Sequence, residues 1–386
     1  MRPITWLLSG ALGLGLAFPA LAADPPAPPQ SRLADAFPPP ESQGGWPSLL
    51  PEAGTPDASQ KAEIRRRAGV DWDKLATAWE HNASAPGATG LLVLRHGQVV
   101  GEWYRDADRT TAFNIYSSSK SYTSTAFGLI LADFGAGPRP DGRTLTLDTK
   151  VCDAEWLPES LPLPDPRKAQ ITVRLLLNMA SGLGEENPPP RQPFEWALGH
   201  VEGSPMATLR NDPGTAFHYS NAGVAHLVLL FRHAQGTDLF PFLKERLFDP
   251  IGLAQVRWQR IGGDGSIGPL SQGYSGIYTT PREHARFCTL ALHRGVWAGR
   301  RLVPEAYYDF AWKGTAVNPA YGAQWWVHPR VPDAPRDLVM TLGRDHNDGF
   351  VCPSLDLVFV RLGNGTTFPP DFERELVRRV LAAVEP

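Results

Sequence analysis

Ser117-Ser118-Ser119-Lys120 is the stretch on which the reading of this chain turns. Ser117 is the one serine in the sequence with a lysine three residues on. Ala126, Phe127, Ile130 and Leu131 follow at helical spacing, so a helix is expected over 117–134. At the start of a helix, positions i and i+3 share a face, which lets the amine approach the hydroxyl. A serine alcohol is a weak nucleophile until a base takes its proton. A lysine whose pKa is lowered by desolvation and neighbouring positive charge can be that base. The helix N-terminus adds free N–H groups and a dipole that favour the anion formed on attack. Ser-rich helix starts near a lysine are also ordinary capping segments, so the motif needs partners.

A partner lies a hundred residues on, in Pro213 to Asn221, which contains the chain's only Tyr-x-Asn, Tyr219-Ser220-Asn221. A phenol can pass a proton between nucleophile and leaving group. The Asn221 amide can hydrogen-bond Lys120 and hold it in place. A buried tyrosine and a turn asparagine before a helix would give the same pattern.

Around these motifs the chain reads as an ordered set of elements. Helices are expected at 62–67 and 72–81, and strands at 91–95 and 98–104 flank a His96-Gly97 turn. Ile171 to Arg174 leads into a helix ending at Ser181-Gly182, and two more are expected near 222–232 and 239–247. A helix starting at Thr280 or Pro281 runs to Gly295, strands follow at 324–328 and 355–362, and Asp371 caps a last helix over 372–384. The order implies a mixed α/β (α+β) fold. An antiparallel sheet is built from both ends of the chain and flanked by N- and C-terminal helices, with a mostly helical lobe inserted. The sheet lobe is expected over about 59–116 and 270–386, the helical lobe over about 117–269, with a cleft between them.

Ser117-x-x-Lys120 together with Tyr219-x-Asn221 resembles the serine β-lactamase and penicillin-binding superfamily. The nearer resemblance is to class C β-lactamase-like hydrolases, a group with esterases, D-aminopeptidases and 6-aminohexanoate-dimer (nylon-oligomer) hydrolases. Ile171 to Leu183 resembles the family's helix before its variable loop, Ser275 to Phe287 and Leu302-Val303-Pro304 its later helix, and Pro353 to Val360 its final strands. The resemblance spans about residues 60–386. It implies a β-lactamase/transpeptidase-like fold, an acyl-enzyme on Ser117, Lys120 as base, Tyr219 as proton relay and Asn221 as a positioning group. It implies neither metal nor cofactor, and a small amide or ester as substrate.

One family element departs. The third motif, Lys-Thr-Gly or His-x-Gly on a strand beside the cleft, is absent, and His293-Arg294-Gly295 falls at a helix end. Gly343-Arg344-Asp345-His346-Asn347 occupies its place, much as in the nylon-oligomer hydrolase type, where this strand is degenerate and begins with Gly. The match makes the Arg344 backbone N–H the second oxyanion donor beside the Ser117 N–H. The Arg344 side chain either replaces the lost carboxylate contact or points to solvent. This departure favours linear amides or carboxylic esters over β-lactams. Tyr116, Gly343, His346, Trp325 and Trp326 are the substrate-binding candidates; for the aromatic residues a core role is the alternative. His218 and His346 either line the site or pack. A β-lactamase or D-Ala-type peptidase using the same residues is one alternative function. A non-catalytic module binding peptidoglycan peptides is another.

The rest of the sequence sets limits. Its 386 residues, 42% hydrophobic and 20% charged, carry a sizeable core, and a net charge of −3 excludes a generally basic nucleic-acid binder. Thirty-seven glycines and 38 prolines exceed the ordinary combined share of about 12%, so loops are plentiful. Three cysteines, Cys152, Cys288 and Cys352, exclude a disulfide scaffold and a cysteine-based zinc cluster, and the ten histidines form no H-E-x-x-H. Gly263-x-Gly265-x-x-Gly268 is followed by proline rather than a helix, which argues against dinucleotide binding. Arg2, the apolar run Ile4 to Phe18 and Ala20-Leu21-Ala22 read as a secretory signal peptide over residues 1–22. The run is short of the roughly 20 residues of a membrane span. Residues 23–58 read as a Pro-rich tether that can lie across the body through Trp46 and Leu49-Leu50. The sequence-based expectation is therefore a periplasmic or secreted protein of open oligomeric state.

Overall fold

The computed structural model describes residues 37–137, 141–327, 331 and 334–385. The expected signal peptide and the first part of the tether lie outside the described residues, as does His328 of the expected strand.

The sheet grows from β1 (Thr89–Arg95) and β2 (Gln98–Arg105), joined at His96-Gly97, both of which have positive φ. A two-residue turn with two left-handed positions matches the twist of the strands it joins. The remaining strands come from the C-terminal part: β3 (Tyr321–Gly322), β4 (Trp325–Val327), β5 (Val339–Thr341), β6 (Asp348–Cys352) and β7 (Leu357–Gly363). They form one seven-stranded antiparallel sheet in the order β3-β4-β5-β6-β7-β1-β2. The two ends of the chain therefore meet at the β1–β7 pairing, where Leu92 faces Val360.

Both faces of this sheet are covered, and alternation along β1 divides them. Leu91 and Val93 join one core with α1 (Ala58–Ala68), α2 (Trp72–Asn82) and α6 (Phe372–Ala382), through Ile64, Leu75, Leu376 and Val380. Leu92 and Leu94 join the other core, with α3 (Ser119–Gly135), α4 (Asn221–Gln235) and α5 (Pro281–Leu292). Between β2 and β3 the chain is mostly helical, with a small three-stranded sheet of Phe113–Asn114, Ile277–Thr279 and Arg257–Trp258. The architecture is the expected α+β one.

Several local expectations are corrected. The helix expected from Ser117 begins as a 3-10 turn, Tyr116–Ser118, and becomes α-helical only at Ser119. The helix after Ile171 is one short piece, Val173–Leu177, because Met179 adopts a left-handed φ of 56° that no α-helix continues through. Asp371 precedes α6 but sits in the left-handed region without a side-chain capping bond. Gln324 stays outside β4, with φ 63°. The Gly263 to Gly268 run is a loop in the Arg260–Ile261/Leu270–Ser271 hairpin, not a strand-to-helix turn. The three cysteines are buried and free.

Candidate active site

α3 is enclosed on every side, although its first seven residues are all polar or Tyr. Its hydroxyls make that burial tolerable, since each finds a fixed partner. Ser121 Oγ donates to Gln324 O (2.9 Å), Thr123 Oγ1 to Gly273 O (2.8 Å) and Ser124 Oγ to Ala323 O (2.6 Å). Ser118 Oγ donates to Asn347 O (2.6 Å), and Ser119 Oγ accepts from Ile277 N (3.2 Å). The turn before the helix is tied as well: Tyr116, at φ 44°, donates its N–H to Asn114 Oδ1. Ser117 is thus presented on a short turn whose neighbours are fixed to three other segments.

Lys120 lies one turn on and is 1% exposed. Its Nζ donates to Ser117 Oγ at 3.1 Å and to the Tyr274 carbonyl at 2.8 Å. The ammonium also stands 4.8 Å from the ring centre of Tyr219 and 5.9 Å from that of Tyr274. No carboxylate is among these partners, and burial alone brings its pKa down to about 7. A large neutral fraction is therefore present near pH 7, as a base for the serine requires.

Tyr219 reaches the same place from another element. The segment before α4 is fixed by His218 N to Met179 O (2.8 Å) and by Ser220, whose Oγ caps Gly223 N (3.1 Å). Burial pushes the Tyr219 phenol up to about 12, and the nearby Ser117 hydroxyl opposes this. The phenol is protonated wherever Lys120 is largely neutral, so the two groups are set apart as acid and base. Tyr219 stacks on Trp326 (5.8 Å, 26°) and meets Tyr321 edge-on.

Asn221 corrects an expectation. Its Nδ2 donates to Asn187 Oδ1 at 2.6 Å, and its Oδ1 is buried without a partner, so it makes no hydrogen bond to Lys120. The Tyr274 carbonyl holds the lysine instead, and a backbone acceptor leaves no mark in a residue pattern. A trace exists one residue earlier: Gly273 has φ 69°, and a Cβ there would stand 2.2 Å from Val228 Cγ2. That turn admits only glycine.

The substitute for the third motif lies against the nucleophile turn. A Cβ on Gly343 would stand 2.3 Å from the Ile115 carbonyl. The Arg344 guanidinium sits 5.6 Å from the ring centre of Tyr116. Of the paired tryptophans, Trp326 faces Tyr219, whereas Trp325 is wholly buried against Phe287 (5.8 Å) and Trp312 (5.9 Å). The expectation for Trp325 is therefore corrected to a core residue. His346 is corrected too. Its ring lies against Phe368 and Phe372, with Nδ1 3.7 Å from Asp348 and 3.8 Å from Glu373. Burial alone would lower its pKa, but the two carboxylates override this and raise it to about 9. His218 lies 2.6 Å from Asn211 Oδ1 and near Glu185.

Metal-ligand residue types come together at one place among the described residues, namely His346, Asp348 and Glu373, with ligand atoms within 4.8 Å of one another. Sequence spacing hides this group because Glu373 arrives from α6. Its charges already compensate: an imidazolium faces two carboxylates, beside the buried guanidinium of Arg361. No helix of the described residues is long and apolar enough to cross a membrane.

Comparisons with known proteins agree with this geometry. No curated protein sequence matches the chain. Among solved structures, a provisionally named 6-aminohexanoate-dimer hydrolase from Bacillus anthracis superposes with a TM-score of 0.64 at 17% identity, covering 90% of this chain and 88% of that one. EstCE1, described as a hydrolase with promiscuous acyltransferase activity, gives 0.62 at 17% identity over 80% and 99%. A β-lactamase from Mycobacterium bovis gives 0.57 at 18% over 79% and 98%. At such identities the likeness establishes the fold alone. The sequence model of the Beta-lactamase family matches residues 72–384, a span that takes in the serine turn, Lys120, Tyr219 and the whole sheet. The chain therefore belongs to the β-lactamase family of serine hydrolases.

Proposed function

We propose that the protein is an exported serine hydrolase that cleaves a small amide or carboxylic ester through an acyl-enzyme on Ser117. The observation that carries this reading is the buried Lys120 amine, 3.1 Å from Ser117 Oγ, brought down to about 7 with no carboxylate beside it. Ser117 Oγ attacks the carbonyl carbon and its proton passes to Lys120. The Ser117 and Arg344 N–H groups hold the oxyanion. As the tetrahedral intermediate collapses, the C–N or C–O bond breaks and the leaving group takes the proton from Lys120 by way of Tyr219. Water then attacks the acyl carbon, giving up a proton along the same route, and Ser117 is regenerated. The chemistry requires no cofactor.

The substrate class follows from what surrounds the serine. The Trp326–Tyr219–Tyr321 cluster offers apolar faces. The Gly343 to Asn347 turn stands where the lysine of a third motif would meet a β-lactam carboxylate. Linear amides and esters are therefore favoured over β-lactams. Export rests on residues 1–22, and N-terminal sequencing of the protein from its host tests it, with cleavage expected after Ala22 or Ala23.

The decisive experiment treats the purified protein with a fluorophosphonate and reads its intact mass, beside Ser117→Ala. One adduct on the wild type and none on the variant is expected. A folded wild type that takes no adduct overturns the reading in favour of a binding module. Nitrocefin and a p-nitrophenyl ester, assayed in parallel, then separate a β-lactamase from an esterase. Tyr219→Phe is expected to slow amide cleavage at least about tenfold more than cleavage of the activated ester, whose leaving group needs little protonation.

A further inference from the structure

The turn that replaces the third motif is one the chain would not adopt unaided. Asp345 (φ 59°) and His346 (φ 55°) are successive left-handed residues, and neither is glycine. Such positions cost on the order of 1 kcal/mol or more each and persist only where the surroundings impose them.

The surroundings here are specific. Asn347 is fully buried, and its polar atoms are spent on three separate segments. Its Nδ2 donates to Arg344 O at 2.9 Å, inside the turn. Its Oδ1 accepts from Gly363 N at 2.8 Å, at the end of β7. Its carbonyl accepts from Ser118 Oγ at 2.6 Å, on the residue next to the nucleophile. Two further side chains complete the clamp. Buried Asp348 accepts from Gly343 N at 2.9 Å, and buried Arg361 donates to the carbonyls of Asp345 (2.6 Å) and His346 (3.2 Å).

The bonds at Gly343 N and Arg344 O bracket one peptide unit, the one whose N–H belongs to Arg344. The bond from Ser118 Oγ ties the same assembly to the turn that carries the Ser117 N–H. We propose that Asn347 is a positioning residue that bolts the two oxyanion donors to each other through Ser118. It does not touch substrate; it sets the separation between two groups that do. This inference rests on the proposed hydrolase reading and on Arg344 N–H as a donor. Oxyanion stabilisation depends on donors fixed before the charge develops, so a small loosening lowers the rate of attack with little change in ground-state binding.

The test measures fluorophosphonate inactivation as separate rate (kinact) and affinity (KI) constants, with thermal unfolding of each variant. Asn347→Asp keeps the shape and the acceptor for Gly363 N but turns the donor toward Arg344 O into an acceptor. Ser118→Ala removes only the hydroxyl that reaches Asn347 O, and it decides the matter should Asn347→Asp fail to fold. Expected is a fall in kinact of about tenfold for Ser118→Ala and up to about a hundredfold for Asn347→Asp, with KI within about twofold of wild type. A folded variant with a lowered melting temperature but wild-type kinact overturns the inference and leaves the hydrolase reading intact. No inactivation of the folded wild type overturns both.

Discussion

Lys120 concentrates the chemistry in one side chain, and its burial has consequences in both activity and stability. Its partners are a hydroxyl, a carbonyl and two aromatic faces, so nothing compensates the desolvation of an ammonium ion. Because the neutral amine is the base, kcat/KM for a p-nitrophenyl ester should rise about tenfold per pH unit below 7 and level off above it. Tyr219, held near 12, stays protonated across that range, so no alkaline limb is expected below about pH 10. A profile flat from pH 5 to 9 would remove Lys120 from the role. In stability the sign is opposite to that of a salt-bridged lysine. The folded pKa, about 7, lies below the ordinary 10.5, so between these values the unfolded chain binds more protons and this group's penalty fades as pH rises. Below pH 7 the penalty is complete, roughly 3–5 kcal/mol. Lys120→Met should therefore be inactive yet melt higher than wild type at pH 6, with the gain nearly gone at pH 10; calorimetry at the two pH values checks it.

At the scale of the element, β4 sorts adjacent tryptophans to opposite sides of the sheet. Trp325 packs on Phe287 of α5, and Trp326 stacks on Tyr219. Trp325→Ala should cost about 3–5 kcal/mol of stability while the folded fraction keeps its kcat. Trp326→Ala should cost less stability and change KM for aromatic esters several-fold; equal effects of the two on KM would contradict the assignment. The sequence shows the alternation but not which ring faces the cleft, because that depends on the register Trp326 to Met340, set by a strand some fifteen residues away. Legibility elsewhere divides along the same line. The hairpin at His96-Gly97, the helices at 58–68, 72–82 and 221–235 and the Ser117–Lys120 contact are written in spacings of two to four residues, and the structure has them. What the pattern misses is carried by long-range or main-chain partners. Asn187 comes from a loop to take the Asn221 amide, the Tyr274 carbonyl holds Lys120, and Glu373 of α6 draws His346 into an ion cluster. Asn347 reads as a turn residue until its three partners are seen.

Over the whole molecule, the described part of the N-terminal tether is structural. Pro38 and Pro39 present carbonyls to Arg286, whose side chain is fully buried on α5, and Glu41 pairs with both Arg286 and Arg282 at 2.9 Å. Trp46 is 3% exposed, lies beneath the Arg286 guanidinium at 5.5 Å and donates its indole N–H to Arg282 O. Prolines suit this role, since their carbonyls accept while an extended backbone offers no ladder of its own. Arg282 continues the network to the buried carboxylate of Glu102 on β2. The strap therefore links the sheet edge to the helix behind the active site, and burial already works against the Arg286 charge, lowering its pKa. Removing Glu41 leaves that charge with main-chain carbonyls alone, and a buried ion deprived of its partner is strongly destabilising. Glu41 is itself about one-third exposed, so water blunts the loss. Glu41→Gln should lower stability by about 1–2 kcal/mol and Trp46→Ala by about 3 kcal/mol or more. Cleavage after Ala22 or Ala23 leaves the strap whole, whereas a chain begun at Pro47 loses both contacts and should melt well below either variant. Thermal unfolding of the three proteins orders them; a truncated chain as stable as the intact one would show that the arginines find other partners and that the tether only rests on the surface.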